Sequence, residues 1–207
     1  ATYITQSLAT SSVSVIPKLM QDSTGQVGNA FIYRNQLYTM GAGYAGLALT
    51  GGPSAYGVNG DSTSNSGGSN AYSPTLVPVQ NPPSGWSSIA GNYSSVCALS
   101  NVGTVYCWGH NSQGQLGDNT TTNNFIARKV TINGNTRPIT AIYTSSNYGL
   151  NTSVNSFWAI DDLGQVWAWG DNAFGQLGNG NTIDQPLPVR SGSASLSGVF
   201  VTKLSIS

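Results

Sequence analysis

The run Val96-Cys-Ala-Leu-Ser-Asn-Val-Gly-Thr-Val-Tyr-Cys-Trp-Gly109 returns without a gap as Phe157-Trp-Ala-Ile-Asp-Asp-Leu-Gly-Gln-Val-Trp-Ala-Trp-Gly170. The match continues, with His110-Asn-Ser-Gln-Gly-Gln-Leu-Gly117 lying over Asp171-Asn-Ala-Phe-Gly-Gln-Leu-Gly178. After a polar loop, Ile126-Ala-Arg-Lys-Val130 is set over Gln185-Pro-Leu-Pro-Val189, and upstream Trp86-Ser-Ser-Ile89 is set over Ile139-Thr-Ala-Ile142. Self-similarity of this kind marks a repeat architecture, in which no unit buries its apolar face alone and stacked neighbours share a core.

Each copy reads the same way locally. Ala98, Leu99, Val105 and Tyr106 sit in short β-rich runs on either side of Asn101-Val-Gly103, a turn whose glycine supplies a positive φ. Gly164 takes the place of Gly103 in the next copy. The Trp-Gly pair after each hairpin puts a large ring in the core beside a flexible corner, and Leu116 or Leu177 then re-enters as a buried plug. No segment sustains a helical period, so the fold class is all-β. A weaker copy precedes these two: Gln36-Leu-Tyr-Thr-Met-Gly41 has Met40 in place of the Trp, and Tyr72-Ser-Pro-Thr-Leu-Val-Pro-Val79 closes it. A further copy opens with Val201-Thr-Lys-Leu204. The expected organisation is an arm over residues 1–28, with Val13-Ser-Val-Ile16 as an opening strand, followed by modules over about 29–80, 86–134 and 139–192 and a partial one over 197–207.

The hairpin, Trp-Gly, Asn and Gly-Gln-Leu-Gly order resembles the regulator of chromosome condensation repeat family. The resemblance is strong over residues 86–192, moderate over 29–80 and absent over most of 1–28. It implies propeller-like tandem blades, which in that family form seven-bladed rings. About three modules and one opening strand are too few for that, so an incomplete ring is expected, within a longer chain or completed by further copies.

Composition narrows the partners. Only 7% of residues are charged, against roughly a quarter in an ordinary soluble domain, and seven basic residues cancel seven aspartates. The scattered cations form no stripe for nucleic acid and no patch for an anionic membrane. No apolar run is long enough to span a bilayer, and Ala1 to Ile16 lacks the basic start of an intact signal peptide. A neutral surface rich in hydroxyls and amides suits glycans, neutral protein surfaces or other copies of the chain.

Catalytic chemistry finds little to work with. The single histidine, His110, aligns with Asp171, as a polar turn position does. Asp161 and Asp162 form a carboxylate pair but lie in a hairpin turn, where Asp serves local hydrogen bonding. The Gly-Gln-Leu-Gly glycines recur once per module and lack the context of a phosphate loop. Close Cys/His clusters for zinc are lacking, and the loops around Asp118 and Asn179 hold too few carboxylates for a tight calcium site. No enzyme activity, cofactor or metal is expected. Cys97 and Cys107 flank the turn at matching distances, and the next copy has Trp158 and Ala168 there, one large and one small residue. A cross-strand disulfide is expected, which implies an oxidising compartment; two buried thiols are the alternative.

In repeat folds the segments that differ between copies carry recognition. Two differ here: residues 50–71 in the first module, with Tyr56 and Asn59, and an insertion before Trp158, with Tyr143, Asn147, Tyr148 and Asn151. Tyr with Asn, Ser and Gly is the chemistry of adaptable binding surfaces. The expected function is therefore recognition. The leading reading is a virion surface or tail-fibre protein that binds a host glycan or surface protein, and that assembles as a homo-oligomer (a trimer) or with other virion proteins. A secreted bacterial binding module or inhibitor is second. Nucleotide exchange or chromatin binding ranks third and enzymatic action fourth.

Overall fold

The structure is a computed structural model that describes residues 16–21, 27–44, 47–48, 71–78, 85–92, 95–145, 155–192 and 198–205. These residues form three antiparallel sheets, the blades of a propeller-type array that does not close into a ring. Blade 1 contains β1 (Ile16–Gln21), β2 (Val27–Tyr33), β3 (Gln36–Tyr44) and the two-residue β4 (Leu47–Ala48), with β5 (Ala71–Pro78) also paired to β3. Blade 2 runs β6 (Trp86–Gly91), β7 (Ser95–Ser100), β8 (Val105–Gly109) and β9 (Asn124–Lys129). Blade 3 runs β10 (Ile139–Thr144), β11 (Ser156–Asp161), β12 (Val166–Gly170) and β13 (Gln185–Arg190).

Two expectations are adjusted by the pairing. The stretch 1–28, expected to be an arm with an opening strand at Val13 to Ile16, supplies β1 over Ile16–Gln21, which pairs with β2 from Ile16 opposite Ile32 to Gln21 opposite Val27, while residues 13–15 lie outside the described residues. The outer strands also align differently from the sequence match: Gly109 faces Asn124 as Gly170 faces Gln185, so Asn124, not Ile126, is the counterpart of Gln185. Blades 2 and 3 thus keep one constant offset from β7 through β9, the spacing of Trp108 and Trp169. Pro186 and Pro188 had hidden this, because their side chains match nothing in β9.

The blades are stapled at their hairpin turns. Asn35, Gly103 and Gly164 hold equivalent turn positions with φ of 62°, 77° and 72°. Asn tolerates this left-handed region better than most side chains, and Gly occupies it freely. The carbonyl of each accepts the N–H that opens the following blade: from Trp86 at 2.9 Å, Ile139 at 2.9 Å and Val201 at 3.2 Å. A Cβ on Gly103 would run into Pro138, and one on Gly164 into Phe200 and Val201. One residue further on, the hydroxyls of Ser87 and Thr140 donate back across the strand, to the carbonyls of Leu99 and Ile160 respectively.

Strand alternation assigns each side chain to one inter-blade core. Val96, Ala98 and Trp108 face back toward blade 1, joining Ile32, Leu37, Trp86 and Ile89. Cys97, Leu99, Val105 and Cys107 face forward and share a core with Phe157, Ala159, Trp167 and Trp169 of blade 3. Trp158, Val166, Ala168 and Leu177 form a third cluster on the forward face of blade 3, covered by Tyr143, Val201 and Leu204. Trp108 and Trp169 are both fully buried and equivalent. Removing about 200 Å² of indole from water stabilises by an upper estimate of about 5 kcal/mol for each. Cys97 stands opposite Cys107 with α-carbons 4.1 Å apart and the sulfurs bonded at 2.02 Å, at the register positions of Trp158 and Ala168.

Candidate functional site

The strand ends define two edges of the array. One edge carries the hairpin turns and the connections between blades. The other is bounded by Tyr44 and Ala71, by Gly109 and Asn124, by Ser145 and Ser156, and by Gly170 and Gln185. Both segments singled out by sequence, 50–71 and the insertion before Trp158, leave from this second edge, hereafter the loop edge.

In blades 2 and 3 its floor is built around one asparagine each. Asn111, fully buried, accepts the N–H of Leu116 at 2.9 Å and donates through Nδ2 to the carbonyls of Thr120 and Thr122 at 3.0 and 3.1 Å. Asn172 repeats this: it accepts from Leu177 at 3.0 Å and donates to the carbonyls of Asn181 and Ile183 at 2.9 and 3.1 Å. Asn123 and Asp184 accept the backbone N–H of these asparagines. An amide side chain is needed, since the centre of each loop requires one acceptor and two donors from a single group.

The floor is continuous between blades. Gln115 offers its carbonyl to the indole N–H of Trp169 at 3.0 Å, and Gln113 Oε1 accepts Asn155 Nδ2 at 3.0 Å. His110 lies at the same edge with Nδ1 3.0 Å from Gln115 Nε2, and burial lowers its pKa. Asp171, its counterpart, is raised, first by burial, against the N–H of Ala173, with the charge of Asp184 adding to the rise.

The carboxylates that the structure describes are tied into the framework. Asp161 is buried and accepts the N–H of Leu163, the N–H of Gln165 and the indole N–H of Trp167. Asp162 forms a two-pronged pair with Arg137 at 2.7 and 2.8 Å. Asp118 holds Thr120 by its amide and hydroxyl. Among the described residues no group of three His, Cys, Asp or Glu converges on one point.

Of the expected binding residues, Tyr56, Asn59, Asn147, Tyr148 and Asn151 lie outside the described residues. Tyr143 does not belong to the insertion: it lies in β10 opposite Trp158 and packs half-buried against the forward core of blade 3. The insertion therefore begins after Ser145, whose N–H still bonds the carbonyl of Ser156 as Asn92 bonds Ser95 in blade 2. Two exposed apolar side chains at the loop edge escaped sequence reading, Phe174 and Ile183, which replace Gln113 and Thr122 of blade 2. The signal was present as a departure from the repeat. The opposite edge holds a cleft of about 580 Å³ lined by Lys129, Thr131, Asn135 and Arg137, the last engaged with Asp162.

Antiparallel sheets that stack face to face, with a Trp-Gly corner and an asparagine-centred loop in blades 2 and 3, define a propeller-type repeat protein. Models of the regulator of chromosome condensation (RCC1) repeat match residues 102–150 and 164–206, and a second model of the same repeat matches 86–115. The chain belongs to the RCC1 repeat family. Among solved structures it is similar to human WBSCR16, with TM-score 0.61 and 16% identity over 89% of this chain and 39% of that one. It is also similar to Prp20p from Saccharomyces cerevisiae, described with its binding to Gsp1p and histones, at TM-score 0.57 and 17% identity over 79% and 36%. The same yeast protein bound to Kap60 gives TM-score 0.53 and 17% identity over 79% and 33%. The chain spans less than two fifths of each of these, and at such identity the likeness shows the fold.

Proposed function

We propose that this chain is a binding module that recognises a protein or glycan surface through its loop edge. The observation that carries the reading is the hydrogen-bonded floor around Asn111 and Asn172, which lies at the same edge as the strand ends that bound the two non-repeating segments. A rigid scaffold with variable loops on one edge is how recognition is separated from folding. Family relatives support a protein partner, since Prp20p binds Gsp1p and histones and is found bound to Kap60. The low charge of this chain favours a different partner from a nuclear one. The buried Cys97–Cys107 disulfide favours an oxidising, extracellular setting. Within that setting, a virion surface protein that attaches to a host is the finer reading, with a secreted bacterial inhibitor as the alternative.

The test is binding of the immobilised chain to a glycan array and to intact cells, repeated after residues 146–154 are replaced by a Gly-Ser linker of equal length. Loss of binding with an unchanged melting temperature supports the loop edge. Retained binding moves the site elsewhere.

A further inference from the structure

The cleft at the edge of the hairpin turns opens where blade 2 lacks a contact that blade 3 makes. In blade 3 the Arg190 guanidinium donates to Gln165 Oε1 at 2.6 Å and lies 5.3 Å from the centre of the Trp167 ring. That contact ties the outer strand to the hairpin and occupies the cation. The constant offset between the blades puts Thr104, Tyr106 and Lys129 at these three places, with Lys129 opposite Tyr106 as Arg190 is opposite Trp167. Threonine is too short to span what glutamine spans, and lysine lacks the flat fork that bonds an amide while stacking on a ring. The space left is the cleft of about 580 Å³, within the range of about 300–1,000 Å³ that holds small ligands.

Its walls are firm and its polar groups are unused. On one side stands the tip of the blade 2 hairpin, and on the other the connection that leads to Ile139, whose N–H is held by the Gly103 carbonyl. Within that connection the N–H of Asn135 donates to the Ile132 carbonyl at 3.1 Å, and Asn135 Oδ1 accepts the N–H of Arg137 at 2.8 Å. Asp162 grips the Arg137 guanidinium. Among the described residues, by contrast, the Lys129 ammonium has no ion pair, and the hydroxyls of Thr104, Thr131 and Thr136 make no hydrogen bond. No described carboxylate lines the cleft, so a charged ligand held there is an anion.

We infer that this cleft binds an acidic monosaccharide of the hexuronic acid class, its carboxylate on Lys129 and its hydroxyls on Thr104, Thr131 and Thr136. One cation answers one carboxylate, three hydroxyls answer a polyol, and the methyl groups of Val102 and Ile132 offer a surface to the C–H face of a sugar ring. An acidic peptide would supply the carboxylate but leave the hydroxyls unmatched. The site lies on the edge opposite the loop edge, so the inference stands independently of what the loop edge binds.

The full chain, labelled with nitrogen-15, is titrated with glucuronic acid, with glucose as the neutral counterpart and with a short Asp-rich peptide. The expected result is saturable movement of the amide signals of residues 102–104 and 131–137, with those of residues 111–123 still. Glucose binds about tenfold more weakly or worse, the effect of losing one charge-assisted contact. Lys129→Gln, a change at an exposed side chain, weakens glucuronic acid binding by about the same factor. Arg128→Gln, one residue away and on the other face of β9 by strand alternation, leaves it unchanged. Thr104→Gln combined with Lys129→Arg rebuilds the blade 3 bridge, keeps the charge and abolishes binding. Absent or unsaturable movement, movement confined to the loop edge, equal binding of glucose, or tighter binding of the peptide overturns the inference. So do indifference to Lys129→Gln, an equal loss in Arg128→Gln, and undiminished binding by the bridged double variant.

Discussion

Replacing Asn111 tests whether one side chain holds the blade 2 loop. In Asn111→Ala the buried N–H of Leu116 loses its acceptor, which costs about 1–3 kcal/mol because little water can reach it. The carbonyls of Thr120 and Thr122 belong to exposed residues and can turn to solvent, so each lost bond costs about 0.5–1.5 kcal/mol. The total is about 4 kcal/mol, a large share of the roughly 5–15 kcal/mol that stabilises a domain. Urea unfolding followed by tryptophan fluorescence reads this as a midpoint lowered by about 2 M, for a slope of about 2 kcal/mol/M. Asn111→Asp adds a signature that a simple packing loss lacks. It keeps an oxygen for Leu116 but turns the other toward the Thr120 and Thr122 carbonyls and toward Asp118 Oδ1, which lies 3.3 Å from Nδ2. The introduced carboxyl is therefore raised in the folded state. Its stability deficit grows as pH rises through the unfolded carboxylate range of about 4 and shrinks on acidification, when an O–H can donate again. Asn111→Ala shows no such pH dependence. An alanine variant within 1 kcal/mol of the parent, or identical pH profiles for the two variants, refutes the role of Asn111.

Removing the disulfide by Cys97→Ala with Cys107→Ala frees a loop with a sequence separation of 10, which by chain entropy costs about 2.5–3 kcal/mol; a loss under about 1 kcal/mol in urea melts would contradict this. Gly103→Ala and Gly134→Ala share a φ of +77°, but a Cβ on Gly103 strikes Pro138 while one on Gly134 meets nothing within 4 Å. Gly103→Ala should thus lower the melting temperature clearly further, and equal losses would show that backbone conformation alone decides. Asp171 is raised by burial, so native stability falls as pH rises from its unfolded value of 3.8 through the higher folded one. Asp171→Asn, which retains the Ala173 contact, should abolish that decline in chemical melts across the acid range.

Much of the architecture was legible because its signals are local. Positive-φ glycines, Trp-Gly corners and β-rich runs between turns recur in the chain and report hairpins directly. The facing cysteines followed from their distances to Gly103, since antiparallel pairing about a known turn is a matter of counting. The loop asparagines were visible as a repeated residue but not as the hub of each loop, which needs the carbonyls of Thr120 and Thr122 brought to one point. The proposed binding site was less legible. Tyr143 read as part of an insertion because nothing in sequence marks where β10 stops, and Phe174 drew no attention because exposure depends on what stands beside it.

By itself, the order of residues determined that the chain is all-β, built of repeated hairpin modules that belong together, and poor in charge. Those properties depend on contacts between residues close along the chain, or on composition, and neither requires knowing which module neighbours which. Tertiary structure alone decided that Trp108 faces backward and Cys97 forward, that β1 joins blade 1, and that each turn carbonyl seizes the N–H opening the next blade. Such pairings join residues far apart in sequence, where alternation offers two faces and only the stacking of whole sheets selects between them.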